Sequence, residues 1–389
     1  MKPPASTQWV HESNVVIDEE VLYRERFTDP LAGVRPLRLT TFPFGNAHIY
    51  PEAPVCSPDG QRFIFARHHG SCGFCTYWIA DLATLSIRQI TDEPGATPPG
   101  FTPDGSAVYY AAENMIWNIS PDSFERVPVH KLPDELRLAT KTLSLSSCGT
   151  RLAAAWVGRE EGGVFIVDLS AGQSRIIFSH RDARNAHVQY CRGPGHLVMV
   201  QVNDDSAYDD DGNMIRMTGD LGVSLHVIND DGSPVAVLPI GRSPLERVQG
   251  HQCWLGRDQA VISTTHRRDH IGAPWRQNRI VAATVGDESY RVVCEGEEEA
   301  FTHIHTTIDG RFWVSDCNRT GRIHVGSTRT GRHKRFFDSG ATFGASQLTH
   351  PHPFFLADGK SIGWNSDVTG ITQVFVACIP DGYLDDLDS

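Results

Sequence analysis

The chain has little that points to a membrane, an export route or a nucleic acid. No segment approaches the roughly 18 consecutive apolar residues that a membrane-spanning helix requires. The opening Met1-Lys2-Pro3-Pro4-Ala5-Ser6-Thr7-Gln8 lacks the apolar core of a signal peptide. These absences lead us to expect a soluble, cytoplasmic protein with no membrane partner. Positive charge is also short: 35 Lys and Arg against 47 Asp and Glu leave a net charge of -12. That balance lacks the basic footprint of a nucleic-acid binder, and an anionic ligand would need a local cation. Nine cysteines, an odd number scattered over 389 residues, fit reduced core thiols better than a disulfide framework. Cys72-Gly73-Phe74-Cys75 is a CxxC, but no second pair completes a zinc site. The G-x-S-x-G elbow of a serine hydrolase is missing, which excludes a propeller-bearing peptidase. No pair of carboxylates converges for glycoside hydrolysis. Helical periodicity is confined to residues 13 to 26.

What is present is a repeat. Turns recur at Pro58-Asp59-Gly60, Pro103-Asp104-Gly105, Ser147-Cys148-Gly149, Gly193-Pro194-Gly195, Gly256-Arg257-Asp258, Ile308-Asp309-Gly310 and Ala357-Asp358-Gly359. Their usual spacing of about 45 to 50 residues is the period of a four-stranded propeller blade. Apolar runs follow each turn, such as Arg62-Phe63-Ile64-Phe65-Ala66 and Arg311-Phe312-Trp313-Val314-Ser315. Outer strands can be assigned to only six of the seven turns, and Val34-Arg35-Pro36-Leu37-Arg38-Leu39 resembles the missing one. The expected fold is all-β: a seven-bladed β-propeller closed by an N-terminal strand in the last blade. Residues 1–33 would be an N-terminal extension and 34–389 a single domain. Between Gln201 and Arg216 an Asp-rich insertion resembles a calcium loop only superficially, since Ala207 stands where an oxygen ligand belongs. It reads as a surface loop able to cover one end of the channel.

Histidines mark the innermost strands. His48, His187, His251, His303 and the pair His350 and His352 each precede a turn by a similar interval, which gathers them at one end of a central channel. In Gln347-Leu348-Thr349-His350-Pro351-His352-Pro353, a strand-like reading sets both histidines on one face, with the prolines holding the backbone extended. Gln347, His350 and His352, with His303 from the preceding blade, would make a three-nitrogen, one-oxygen site. Open positions on that site would suit Mn²⁺, Ni²⁺, Zn²⁺ or Fe²⁺ and accept a substrate carboxylate.

At these residues the chain resembles the oligogalacturonate lyase family, seven-bladed propellers that degrade short pectin fragments in the bacterial cytoplasm. The likeness is strongest from Gln347 to Pro353, continues through Trp364-Asn365-Ser366-Asp367 and Gln373-Val374-Phe375-Val376, and recurs at Phe301-Thr302-His303 and His251-Gln252-Cys253-Trp254. It implies Mn²⁺ as cofactor on His303, Gln347, His350 and His352, with His251 as the catalytic base of a β-elimination. It also implies an anionic oligosaccharide as the partner, with His187 and His48 left to bind it. One position departs from the pattern: where the family carries an active-site arginine, eight residues before the glycine of Asp231-Gly232-Ser233, this chain has Ser224. Arg216, on the flank of the insertion, is the expected substitute.

Overall fold

In a computed structural model, the described residues are 15–16, 33–41, 43–53, 55–69, 75–134, 136–138, 143–209, 214–318 and 320–389. They form an all-β propeller. Four-stranded antiparallel sheets succeed one another along the chain, the first made of Gly45–His48, Arg62–His68, Cys75–Asp81 and Ser86–Gln89. In each, the first strand is innermost. The second and third strands are packed against by neighbouring sheets on both faces, so they read as continuous apolar runs: Leu197–Asn203 is buried at every position. Outer strands such as Gln173–His180 are exposed or half-buried at every position. An eight-stranded sheet spans Gln189–Tyr190 to Arg291–Glu295, and its two halves meet through one residue pair, Val223 with Val248. The expected count of seven blades corresponds to dividing the sheet at that pair.

The repeated turns are held the same way. Ser57, Thr102 and Thr307 each donate a hydroxyl hydrogen bond to the aspartate two residues on, and that aspartate accepts the backbone N–H two residues further, at 3.0 to 3.1 Å. The glycines carry positive φ, 69° at Gly60 and 74° at Gly105. They also sit against the next turn: a Cβ on Gly105 would lie 2.6 Å from Pro58 Cδ, and one on Gly60 2.9 Å from Asp358. Glycine is therefore required twice, by conformation and by the narrow space where the blades converge.

Closure involves the N-terminal segment, as expected. Leu37–Arg38 pairs antiparallel with Gln373–Cys378, in the register Leu37 with Val376 and Arg38 with Phe375. Leu39 N–H donates to Val374 O at 2.9 Å. Val34 and Leu39 are buried on either side. The added strand covers the edge of the last sheet.

Three details differ from the sequence reading. Gln347–Thr349 is a 3-10 turn capped by Ser346, not a strand, and His352 has φ of 45°, so the strand Phe354–Phe355 starts only after Pro353. A helix absent from the reading, Tyr383–Asp388, packs at the C-terminal end with Leu387 wholly buried. Its carboxylate Asp388 is gripped by Arg311 and Arg329, and Thr330 Oγ1 donates to Leu387 O at 2.7 Å. Short and acidic, it is fixed by these partners rather than by an apolar periodicity that a sequence would display. Of the expected helix at 13 to 26, only Val15–Val16 is described, and it is strand paired with Leu37–Arg38; the rest lies outside the described residues, as does Cys72. No helix among the described residues is long and apolar enough to cross a membrane.

Candidate functional site

The inner strands bring most of the singled-out histidines to one end of the channel. Tyr50, two residues past the strand that ends at His48, stands among them, its ring centroid 5.4 Å from His187, 6.5 Å from His251, 5.9 Å from His303 and 5.2 Å from His352. His48 stacks on Phe354 at 3.8 Å, and its backbone N–H donates to Asn365 Oδ1, which ties the first sheet to the last. His187, held at φ of 43°, reaches Glu52 through Nδ1 at 2.8 Å.

Asp316 organises the next part of the site. It lies fully buried on Phe312–Cys317. Its Oδ1 accepts the His303 backbone N–H at 2.8 Å, and its Oδ2 accepts His303 Nδ1–H at 2.9 Å and the His352 backbone N–H at 3.1 Å. A carboxylate on Nδ1 fixes the tautomer of His303 and leaves the lone pair on Nε2. That Nε2 is 3.0 Å from His352 Nε2. Two adjacent ligand nitrogens each about 2.1 Å from a shared ion have about this separation. His350 stacks on Phe343 at 4.1 Å and donates Nε2–H to Gly344 O at 2.9 Å, which leaves its buried Nδ1 without a hydrogen-bond partner. Ligand atoms of His303, His350 and His352 all lie within 4.8 Å of one another. The donor set therefore fits a divalent transition ion: neutral imidazoles, tautomers set by outer partners, and lone pairs converging.

Burial supports the neutral state. It pushes His303, His352 and His251 well below the usual histidine value, and neighbouring imidazoles add to this, while the Asp316 charge opposes it at His251 and His352. Burial takes His48 down to about 3. Tyr50 moves well above its usual value, through burial first and then the charges of Glu52 and Asp316, and stays a phenol.

Beside this cluster opens a cavity of about 570 Å³ whose lining includes His48, Tyr50, His187, His251, Gln347 and His352, together with Arg247, Met214 and Met217. Its volume lies within the range of small-ligand sites. His251 is half-buried on Glu246–Trp254, where a bulge at Gly250, φ of 95°, interrupts the pairing and re-aims the side chain. Its ring centroid is 4.3 Å from that of His303. Gln347 is exposed at the rim.

Arg216 is not brought to this cavity. It is exposed, and Asp205 engages it through Oδ2 at 2.9 Å and through the backbone carbonyl. Ser224 is buried with its hydroxyl 3.1 Å from His226 Nε2. The cation that does line the cavity is Arg247, its guanidinium over the Trp275 ring at 4.5 Å; among the described residues no carboxylate pairs with it. Sequence reasoning missed Arg247, Tyr50 and Asp316. The available signals were faint: Arg247 precedes His251 by four residues, and Asp316 is a lone acid closing an apolar run.

No protein-family profile matches the chain. It is similar to two curated proteins, an oligogalacturonide lyase of Pectobacterium atrosepticum and an oligogalacturonate lyase of Dickeya dadantii. Identity with the first is 21% over 357 residues, covering 83% of this chain and 87% of that protein. With the second it is 21% over 412 residues, covering 91% and 96%. Two solved structures share the fold. An oligogalacturonate lyase in complex with manganese superposes with a TM-score of 0.76 at 20% identity, covering 97% of this chain and 99% of the other. An oligogalacturonate lyase from Vibrio parahaemolyticus gives 0.74 at 17%, covering 97% and 100%.

Proposed function

We propose that this chain, a relative of the oligogalacturonate lyases over most of its length, is a metal-dependent lyase. On this reading it cleaves short uronate oligomers, oligogalacturonides first among them, by β-elimination in the cytoplasm, and residues 34–389 act as one domain. The observation that carries the reading is the His303 and His352 Nε2 pair, 3.0 Å apart on the shared support of Asp316 and beside the cavity. His303, His350, His352 and Gln347 would hold manganese or another divalent transition ion. When bound, that ion would supply a Lewis acid that neutralises the uronate carboxylate and makes the adjacent C5 proton removable.

The chain's own groups supply the rest. His251, kept neutral by its desolvated surroundings, accepts the C5 proton as the C4–O bond breaks, and a water protonates the leaving oxygen. Tyr50 remains protonated and, at the centre of the histidines, can hydrogen-bond an oxygen of the sugar. His187, braced by Glu52, and His48 border the sugar's position. Arg247 offers the positive charge that a net acidic chain must provide locally.

A second reading within the same chemistry, a different uronate oligomer, is favoured by one observation. Ser224 occupies the position of the family's arginine and is bonded to His226, whereas Arg247 reaches the cavity from another strand. The site's charge is thus displaced, which bears on chain length and sugar identity. Product analysis by mass spectrometry tests both readings. Elimination leaves a new terminus one water lighter than hydrolysis does, and a panel of uronate oligomers ranks the substrates. Products with only saturated termini from every oligomer would exclude the lyase.

A further inference from the structure

Away from the channel, a second group of ligand-type side chains gathers on the flank of the sheet formed by Phe301–Thr306, Phe312–Cys317, Arg322–Ser327 and His333–Asp338. His324 lies opposite Arg335, so His333 is its diagonal neighbour on the outer strand, the two ring centroids 5.7 Å apart. Glu299 arrives from the loop that enters this sheet, its Oε1 3.8 Å from His333 Nε2. Ligand atoms of Glu299, His324 and His333 all fall within 4.8 Å of one another.

Several features distinguish this group from polar side chains packed by chance. His324 is 94% buried (6% exposed), yet its Nδ1 has no hydrogen-bond partner. A buried imidazole nitrogen without a partner costs free energy that a ligand would recover. Burial holds His324 down to about 4, so it is neutral. On the far side of His333, Nδ1 meets Cys294 Sγ at 3.3 Å, which orients the ring and leaves Nε2 turned toward Glu299. Cys294 stays a thiol because burial raises it to about 12. The loop fits the same arrangement: a Cβ on Gly296 would lie 2.5 Å from Glu299 Oε2, so glycine there lets the carboxylate fold back over the cluster. Edge-on contacts from Phe301 to both imidazoles wall off one side.

We propose that Glu299, His324 and His333 form a second divalent-metal site of the zinc class, with Cys294 as outer partner to His333. Two imidazoles and one carboxylate are a borderline-hard donor set, which takes zinc or cobalt and leaves a position for water. The ion would tie the entering loop to the outer strands of this sheet.

The test is metal stoichiometry on the full chain, stripped with chelator and titrated with Zn²⁺. Wild type should bind two equivalents. Glu299→Gln and His333→Ala should each bind one and keep the turnover of wild type; His303→Ala should also bind one, but without turnover. Cys294→Ser should weaken only the second equivalent, by about 10- to 100-fold. Glu299→Gln preserves shape, so a folded variant that still binds two would overturn the assignment. A wild type binding one equivalent that vanishes in His303→Ala and persists in His333→Ala would overturn it too, while leaving the channel site intact. One equivalent that persists in His303→Ala and vanishes in His333→Ala would support this site and count against the channel reading instead.

Discussion

Replacing Asp316 with asparagine isolates what the buried carboxylate does for the channel site. The wild-type side chain accepts three hydrogen bonds, two from His303 and one from the His352 backbone. Asparagine puts an N–H donor in place of one oxygen: at Oδ1 it opposes the His303 backbone N–H, and at Oδ2 it opposes both His303 Nδ1–H and the His352 backbone N–H. In the second arrangement His303 relieves the opposed donors by moving its proton to Nε2, the atom that lies 3.0 Å from His352 Nε2; in the first, Nδ1–H keeps only a neutral amide oxygen, a weaker acceptor than a carboxylate. Either way the Nε2 lone pair needed for an ion is lost or held less firmly. Loss of an outer partner of this kind typically costs 10- to 100-fold in metal affinity, which is about 1.4 to 2.7 kcal/mol. One imperfectly paired buried donor adds about 1 to 3 kcal/mol of lost fold stability. Competition with a chelator of known affinity measures the first quantity and urea unfolding of the metal-free protein the second. Turnover at saturating Mn²⁺ should recover substantially, because the ligands themselves remain. Unchanged metal affinity in a folded Asp316→Asn protein would refute the role given to Asp316.

Other expectations follow from the same geometry. His251→Ala should keep the channel metal and lose turnover by at least about 100-fold, the lower range for a positioned base; equal loss of metal would make His251 a ligand. Arg247→Ala should raise KM for anionic oligomers and flatten its dependence on salt with little change in metal content, read by initial rates at several ionic strengths. Trp364→Ala, which empties a wholly buried site between the last sheets, should destabilise the fold by about 3 to 5 kcal/mol in denaturant unfolding. Hydrogen bonds from Arg311 and then Ser327 hold Asp388 down to about 2, below its ordinary 3.8. Its anchoring of the C-terminal helix should therefore be complete above about pH 4 and fade as pH falls toward 2. Hydrogen exchange in Tyr383–Asp388 at pH 5 should be faster in Asp388→Asn than in wild type.

The repeat was legible because each turn must solve the same steric problem. Asp59-Gly60, Asp104-Gly105 and Asp309-Gly310 announce it in the sequence, and the apolar run after each follows from burial on both faces. The closing strand was legible by subtraction, since one outer strand was missing and Val34 to Leu39 had the right character. The histidines could be named because inner strands share an offset from their turns. What could not be read was whatever depends on contacts across blades. Asp316 supports His303 and His352 from two different elements, and no spacing encodes that convergence. His352 reaches its partner through a left-handed residue between prolines, a conformation that the alternation rule for strands does not describe. Arg247 lines the cavity from a regularly paired stretch of its strand, opposite His266, whereas Arg216, favoured by its position on the insertion, is occupied by Asp205.

The most direct test of the lyase reading is ultraviolet absorbance during incubation with short oligogalacturonides, because elimination creates a conjugated enol-ether acid and hydrolysis does not. Protein stripped of metal should give no rise. Adding Mn²⁺ should start a steady increase in wild type, and the same addition should leave His352→Ala flat. A rise that is equally fast in stripped protein, or in His352→Ala, would contradict a lyase built on these histidines. So would silence of the metal-loaded wild type on every uronate oligomer.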